Sequence, residues 1–359
     1  MNDIELIVRE FGLDSTESST FGNGHINDTY TVTRNGKKMI LQRLNTKVFT
    51  RPAQVMQNIE KVTAHLKKKL MEAGADPTRE TMTVAYTVDG KPCYFTDKGD
   101  CFRMYDYISD SYSIDKAENA GQMVSAAKAI GKFFRMLDDF PADSLHITID
   151  DFHNTRKYYD KLIKAAEDDA AGRRQNVEEE IKFVKKHEGY ADVLNNALEN
   201  GEIPLRVTHN DTKLNNILFD QSTGEGMCVI DLDTVMPGSV LYDFGDAMRF
   251  GAASGPEDEK DLSKIWFDLD MFDAFTKGFA EEAGDTLNRR EIELLADSVK
   301  ILTFECGMRF LTDYLKGDVY FKIAYPSHNL DRARTQFKLV SDMESKDEQM
   351  KAIVKKYFK

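Results

Sequence analysis

Apolar and polar positions alternate in short runs over the first hundred residues, and beyond them recur at helical spacing. SSTFGNG, NDTYTVTR and KKMILQRL read as three successive strands joined by Gly- and Asn-rich turns. Asn35-Gly36, between the second and third, is a strong hairpin signal. From Val55 the apolar residues Ile59, Val62, Leu66 and Leu70 follow at spacings of four, three, four and four, which makes one helical face. MTVAYTVDGKPCYFTD reads as another hairpin, turning at Asp89-Gly90, and CFRMYDYI as a further strand. The opening MNDIELIVREFG lacks the basic and apolar regions of a signal peptide and predicts a short amphipathic helix instead.

After residue 108 the pattern is helical. Met123, Ala127, Ile130, Phe133 and Leu137 mark one amphipathic helix, and 151–170 and 174–199 predict charged helices. NILF at 216–219 and MCVID at 227–231 flank Ser222–Glu225 and predict a small hairpin; helical patterns fill most of 257–357. The expected fold class is therefore α+β. A β-rich unit over 1–107 with one main helix precedes a larger, mainly helical unit over 108–359, with a cleft between them suited to a ligand.

Composition narrows the function. A chain of 359 residues fits two or three units at roughly 150 residues each. With 41% hydrophobic and 30% charged residues it has a globular composition, and no apolar run approaches the ~20 residues of a membrane span. The net charge of -13 argues against a nucleic-acid partner, which requires basic stripes. It suits solubility, or a cationic substrate. Cys93, Cys101, Cys228 and Cys306 form no C-x-x-C pair and suit reduced core thiols in a cytoplasmic protein. No H-E-x-x-H or H-x-H spacing marks a histidine metal site.

The chemistry concentrates in VTHNDTKLNNILFDQSTGEGMCVIDLDTVMPG. His209-x-Asp211-x4-Asn216, a strand–turn–strand and then Asp231 follow in the order that phosphoryl transfer requires. An aspartate takes or orients the proton of the attacking hydroxyl. An asparagine five residues on and a second aspartate hold magnesium against the ATP phosphates. Protein kinases space the first pair identically, as H-R-D-x-x-x-x-N. Asp243-Phe244-Gly245 spells a kinase metal motif but lies 32 positions after Asp211, against 20 for Asp231. Asp231 therefore takes the metal role, and Asp243 and Asp246 fix loops or cap a helix. For the nucleotide, Gly22 and Gly24 lie between two strands, in either a phosphate-covering loop or a plain hairpin turn. Gln42 stands where kinases carry a strand lysine, with Arg43 beside it as a compensating cation. Glu60 is either the helix glutamate of such a site or part of a solvated face. ArgMetTyrAspTyrIle at 103–108, with Met104 and Tyr105, sits where a hinge would contact adenine.

These residues resemble the aminoglycoside phosphotransferase and choline kinase superfamily, whose fold is protein-kinase-like and two-lobed. GlyAsnGlyHisIleAsn at 22–27, the run from Ile203 to Leu218, IleAspLeuAsp at 230–233, AspPheGlyAsp at 243–246, PheGlyAla at 250–252 and GluCysGlyMetArgPheLeu at 305–311 look like bacterial N-acetylhexosamine 1-kinases. The resemblance implies an ATP- and Mg²⁺-dependent kinase of the anomeric hydroxyl of N-acetylglucosamine or N-acetylgalactosamine. Asp211 would be its base and Asn216 and Asp231 its metal ligands. His25, Thr234, Arg309 and Tyr320 become sugar contacts by the same likeness, although Arg309 also suits pairing with Glu305 and Tyr320 a core position. A kinase of an amino alcohol, homoserine or an aminoglycoside, and a silent nucleotide-binding module, are the competing readings. Monomer and homodimer are both open.

Overall fold

The computed structural model describes residues 3–13, 18–21, 26–34 and 36–358. Helix α1 (Asp3–Glu10) leads into strands β1 (Ser18–Thr20), β2 (Asp28–Arg34) and β3 (Lys37–Leu44), then α2 (Pro52–Glu72) and the single turn α3 (Pro77–Glu80). Strands β4 (Val84–Ala85), β5 (Tyr94–Phe95) and β6 (Cys101–Asp106) complete an antiparallel sheet of order β1-β2-β3-β6-β4, with β5 also on β6. The expected 82–97 hairpin is present only in its turn. Gly90, at φ 74°, closes it, but β4 and β5 each pair with β6 and not with each other.

The larger part begins with β7 (Ser111–Tyr112) and α4 (Ala120–Leu137). Helices α5 (Thr155–Asp168), α6 (Glu178–Lys186) and α7 (Tyr190–Glu199) follow, so the expected 174–199 helix is broken around His187–Gly189. Strands β8 (Arg206–Thr208), β9 (Ile217–Asp220), β10 (Gly226–Val229) and β11 (Met236–Gly238) come next. β9 and β10 form the expected hairpin. β7 joins its edge and β8 pairs with β11, two short ladders that no run of apolar residues announces. The chain ends in α8 (Val240–Gly251), α9 (Leu269–Ala283), α10 (Arg289–Leu315), α11 (His328–Ser345) and α12 (Asp347–Tyr357).

Three apolar clusters explain this layout. One lies between α1 and one face of the sheet and holds Ile7, Phe11, Leu41, Phe102 and Met104. A second covers the opposite face with α2 and continues into Phe133, Leu137, Val207, Leu232 and Val235 of the helical part. The third is the helical core around α10. α10 is buried on nearly every side, and a capping box of Asn288 and Glu291 starts it. Gly278 permits α9 to lie on α4: a Cβ there would sit 2.4 Å from the Val124 carbonyl oxygen.

A buried polar residue helps tie α2 to the helical part. Buried Asn58 donates to the carbonyls of His146 (2.8 Å) and Val235 (2.9 Å) and accepts from the His146 N–H (2.8 Å). Asn58→Leu strands these backbone groups in a dry interface, at about 1–3 kcal/mol per orphaned group. We expect a urea midpoint lowered by about 2–4 kcal/mol equivalent with an unchanged slope; a loss below about 0.5 kcal/mol would remove Asn58 from this role.

Candidate active site

The loop between β8 and β9 and the turn after β10 meet below the sheet. His209 anchors the loop: its Nδ1 accepts from the Asp211 N–H (3.2 Å), so Nε2 donates to the Ile230 carbonyl (2.8 Å). Asp243, at the start of α8, accepts from the backbone N–H groups of His209 (2.7 Å) and Asn210 (2.5 Å). Burial nevertheless pushes its carboxyl up to about 6. Asn210 is left-handed at φ 65° and spends its amide on the carbonyls of Thr208 and Thr234. Thr234 donates its hydroxyl to the His209 carbonyl (2.6 Å). Asp243 thus holds the loop, as expected of it.

Asp211 points into the space between loop and turn. Asn216 donates its amide to the Asp211 carbonyl (2.8 Å) and carboxylate (3.2 Å), and Lys213 pairs with the same carboxylate at 2.8 Å. Burial alone would raise the Asp211 carboxyl, but Lys213 outweighs it and holds it below the usual range. With its nitrogen committed to Asp211, the Asn216 side chain has its oxygen free. The Asn216 carbonyl also accepts from the Ile230 N–H (2.9 Å), which locks Asp231 beside it. Asp231 is left-handed at φ 61°, a conformation disfavoured for a non-glycine residue and typical of functional turns. Burial, then Asp233 and Asp211, raise its carboxyl to about 7. An amide oxygen and a desolvated carboxylate crowded by two others form a hard, electron-rich donor pair that fits a divalent cation of the magnesium type.

A phosphotransferase enzyme family profile matches residues 17–275, most of the chain. The protein belongs to that family. Solved structures similar to this phosphotransferase include a microcompartment-associated aminopropanol kinase (TM-score 0.61, 14% identity, covering 97% of this chain and 98% of that one). An aminoglycoside phosphotransferase from Alicyclobacillus acidocaldarius gives TM-score 0.59 at 13% identity, covering 97% and 96%. A spectinomycin phosphotransferase solved with ADP and spectinomycin gives 0.56 at 13%, covering 96% and 97%. At these identities the likeness is one of fold: a small antiparallel sheet unit on a larger helical one.

The remaining expected residues divide. Gly22, Gly24 and His25 lie outside the described residues. Gln42 faces the site but grips Arg103, accepting from its Nε (3.0 Å) and Nη2 (2.9 Å). Arg43 is directed away from it: its guanidinium is half exposed and bound to Asp28 (2.5 Å), with Asp100 at 3.8 Å. Alternation along β3 puts neighbours on opposite faces, so Arg43 does not supply the missing charge. Burial raises the Tyr86 phenol and Glu60 lies near enough to add to it; no described strand cation pairs with Glu60. Met104 and Tyr105 sit inside β6, paired on both sides by β3 and β4, with Met104 turned toward α1. The backbone stays committed through Tyr107, whose N–H donates to the Lys38 carbonyl (3.3 Å). Tyr320 is 64% exposed, which excludes the core position.

Arg309, on α10, does not pair with Glu305. Its guanidinium lies among the rings of Phe152, Tyr158 and Phe321 at 5.4–5.8 Å, and no described residue gives it a hydrogen bond or ion pair. Glu305 instead meets buried His153 Nδ1 (2.9 Å) and Thr155 (2.7 Å), and His153 Nε2 lies 3.4 Å from the Asn210 carbonyl. Sequence reasoning passed over His153, Lys213 and Arg103. Lys213 had a signal, two positions after Asp211; Arg103 had one too, a lone charge in an apolar strand.

The His153–Glu305 pair predicts a pH signature. Burial lowers the His153 value, but Glu305 outweighs it and raises it above 6.5; its stabilisation is full below that and fades as pH climbs through the raised value. Burial raises Glu305, but His153 takes it below 4.5; that contribution is present above 4.5 and fades as pH falls through the lowered value. The melting-temperature gap between the native chain and Glu305→Gln should therefore be widest between 4.5 and 6.5. A gap constant from about pH 4 to 9 would contradict the pairing.

Proposed function

We propose that this phosphotransferase is an ATP-dependent kinase of an N-acetylhexosamine, acting on the anomeric hydroxyl to give the sugar 1-phosphate. Residues 1–107 bind the nucleotide and 108–359 carry the catalytic loop and acceptor pocket, in a cytoplasmic protein. The observation that carries the acceptor class is Arg309. A free guanidinium with five donors, walled by aromatic rings, repels a cationic amine and suits the hydroxyl and acetamido oxygens of a neutral sugar. Nearby carboxylates are already engaged, Glu305 by His153 and Asp246 by Arg249 at 2.8 Å. The aminopropanol and spectinomycin enzymes share the fold, but their acceptors carry amines.

Asp211, held ionised by Lys213, accepts or orients the proton of the attacking hydroxyl. Mg²⁺, when held by the Asn216 oxygen and Asp231, would neutralise charge on the ATP phosphates. Lys213 stands beside the line of transfer and adds a positive charge there. Thr234 shapes the acceptor side through its lone pairs, since its proton is used by His209. Tyr320 and His25 are proposed as further sugar contacts. Closure of the two parts would exclude water as a competing acceptor.

Three measurements test this. Phosphorus NMR with N-acetylglucosamine, N-acetylgalactosamine, choline, aminopropanol and an aminoglycoside should show a sugar 1-phosphate; product only with the amines would refute the acceptor. Asp211→Ala should lower turnover about 10²–10⁴-fold with little change in melting temperature. Chelation of magnesium should abolish turnover, restored by re-addition; full activity in excess chelator would refute the metal role.

A further inference from the structure

Kinases ordinarily anchor the phosphates with a lysine on the third strand, paired with a glutamate on the following helix. Neither half of that pair is present here: β3 offers Gln42, and Glu60 on α2 pairs with no cation among the described residues. The register supplies a different cation. Gln42 lies opposite Arg103 on β6, and Arg103 is the largest fully buried side chain among the described residues.

Every donor end of Arg103 is directed. Nε and Nη2 fork onto Gln42 Oε1 at 3.0 and 2.9 Å. Nη1 lies 2.5 Å from Asp233 Oδ1, an ion pair between side chains 1% and 4% exposed. The other Asp233 oxygen accepts from Asn27 Nδ2 at 2.7 Å, and Asn27 Oδ1 accepts from the Asn45 N–H at 2.9 Å. Helix α2 contributes no carboxylate; its nearest group is Met56 Sδ, 3.9 Å from Nη1. Burial would discharge a lone guanidinium, but Asp233, and more weakly Asp231, hold Arg103 above its ordinary value.

We propose that Arg103 and Asp233 replace the strand-lysine and helix-glutamate pair, so that Arg103, acting through Asp233, is a positioning residue for the Asp231 turn. The pair joins the sheet directly to the turn that carries the nucleotide-facing carboxylate. Gln42 is its clamp, which explains a neutral residue at the lysine position. Because the counter-ion comes from the catalytic hairpin, α2 has no ionic hold on the site. The inference rests on the ATP-dependent reading above.

The test is calorimetric titration of the full chain with ATP and MgCl2, which needs no acceptor, alongside steady-state kinetics. Arg103→Met should weaken MgATP binding about 10-fold or more, with the acceptor KM changed less than about twofold. Arg103→Lys should recover part of the loss, since it keeps charge without the fork. The Arg103→Met/Asp233→Leu double variant should bind no worse than the poorer single variant, because each single change strands a buried charge that the double removes. Should Arg103→Met fail to fold, Gln42→Met leaves the ion pair intact and should weaken MgATP binding about threefold. A folded Arg103→Met or Gln42→Met with unaltered MgATP affinity overturns the proposal alone. A native chain that binds no MgATP overturns the functional reading, and this inference with it.

Discussion

Three carboxylates, Asp211, Asp231 and Asp233, are gathered into one short loop and turn, the first two half-buried and the third buried, and the surrounding structure is arranged to keep them there. Like charges at low dielectric repel strongly, so each needs its own compensation. Asp211 has Lys213 from its own loop, and Asp233 has Arg103 from the sheet. Asp231 has no dedicated cation; its carboxyl is raised to about 7 and its backbone is held at a positive φ. That residual imbalance is the feature on which the proposed magnesium role of Asn216 and Asp231 rests.

The fold supplies the rigidity this arrangement demands. Asp243 holds the loop by two backbone N–H groups, and His209 ties it to the hairpin at Ile230. Asn58 fastens α2 to Val235, beside Thr234. In the helical part, α10 presents Glu305 and Arg309 one turn apart with opposite uses. Glu305 is consumed by His153 and Thr155, while Arg309 keeps its donors free among aromatic rings. The polarity around Arg309 is thus set by which charges have been neutralised internally. The net charge of -13 says little about it.

The α+β class, the first three strands, α2, α4 and the β9–β10 hairpin were legible because each rests on local periodicity and turn chemistry. The spacing from His209 to Asp231 marked one short loop and hairpin in the sequence, and the structure brings Asn216 against Asp211 and beside Ile230. The pairing of β4 and β5 with β6, and of β7 with β9, was not legible, since two-residue strands carry no periodicity. Arg43 and Glu60 were misjudged as partners of the nucleotide for a related reason. Proximity in sequence to Gln42 and to the helix face does not say which side of a strand, or which neighbour, a charged side chain meets.

By itself the sequence determined the two-part layout and marked Asp211, Asn216 and Asp231 as candidates, because helical faces, turns and short motifs are written in near neighbours. Only the tertiary structure decided that Arg103 answers Asp233 across 130 positions, that Glu305 serves His153 and not Arg309, and that Arg309 stays unpaired. Which of several possible charges become partners depends on strand register and on burial, and both arise when the chain packs.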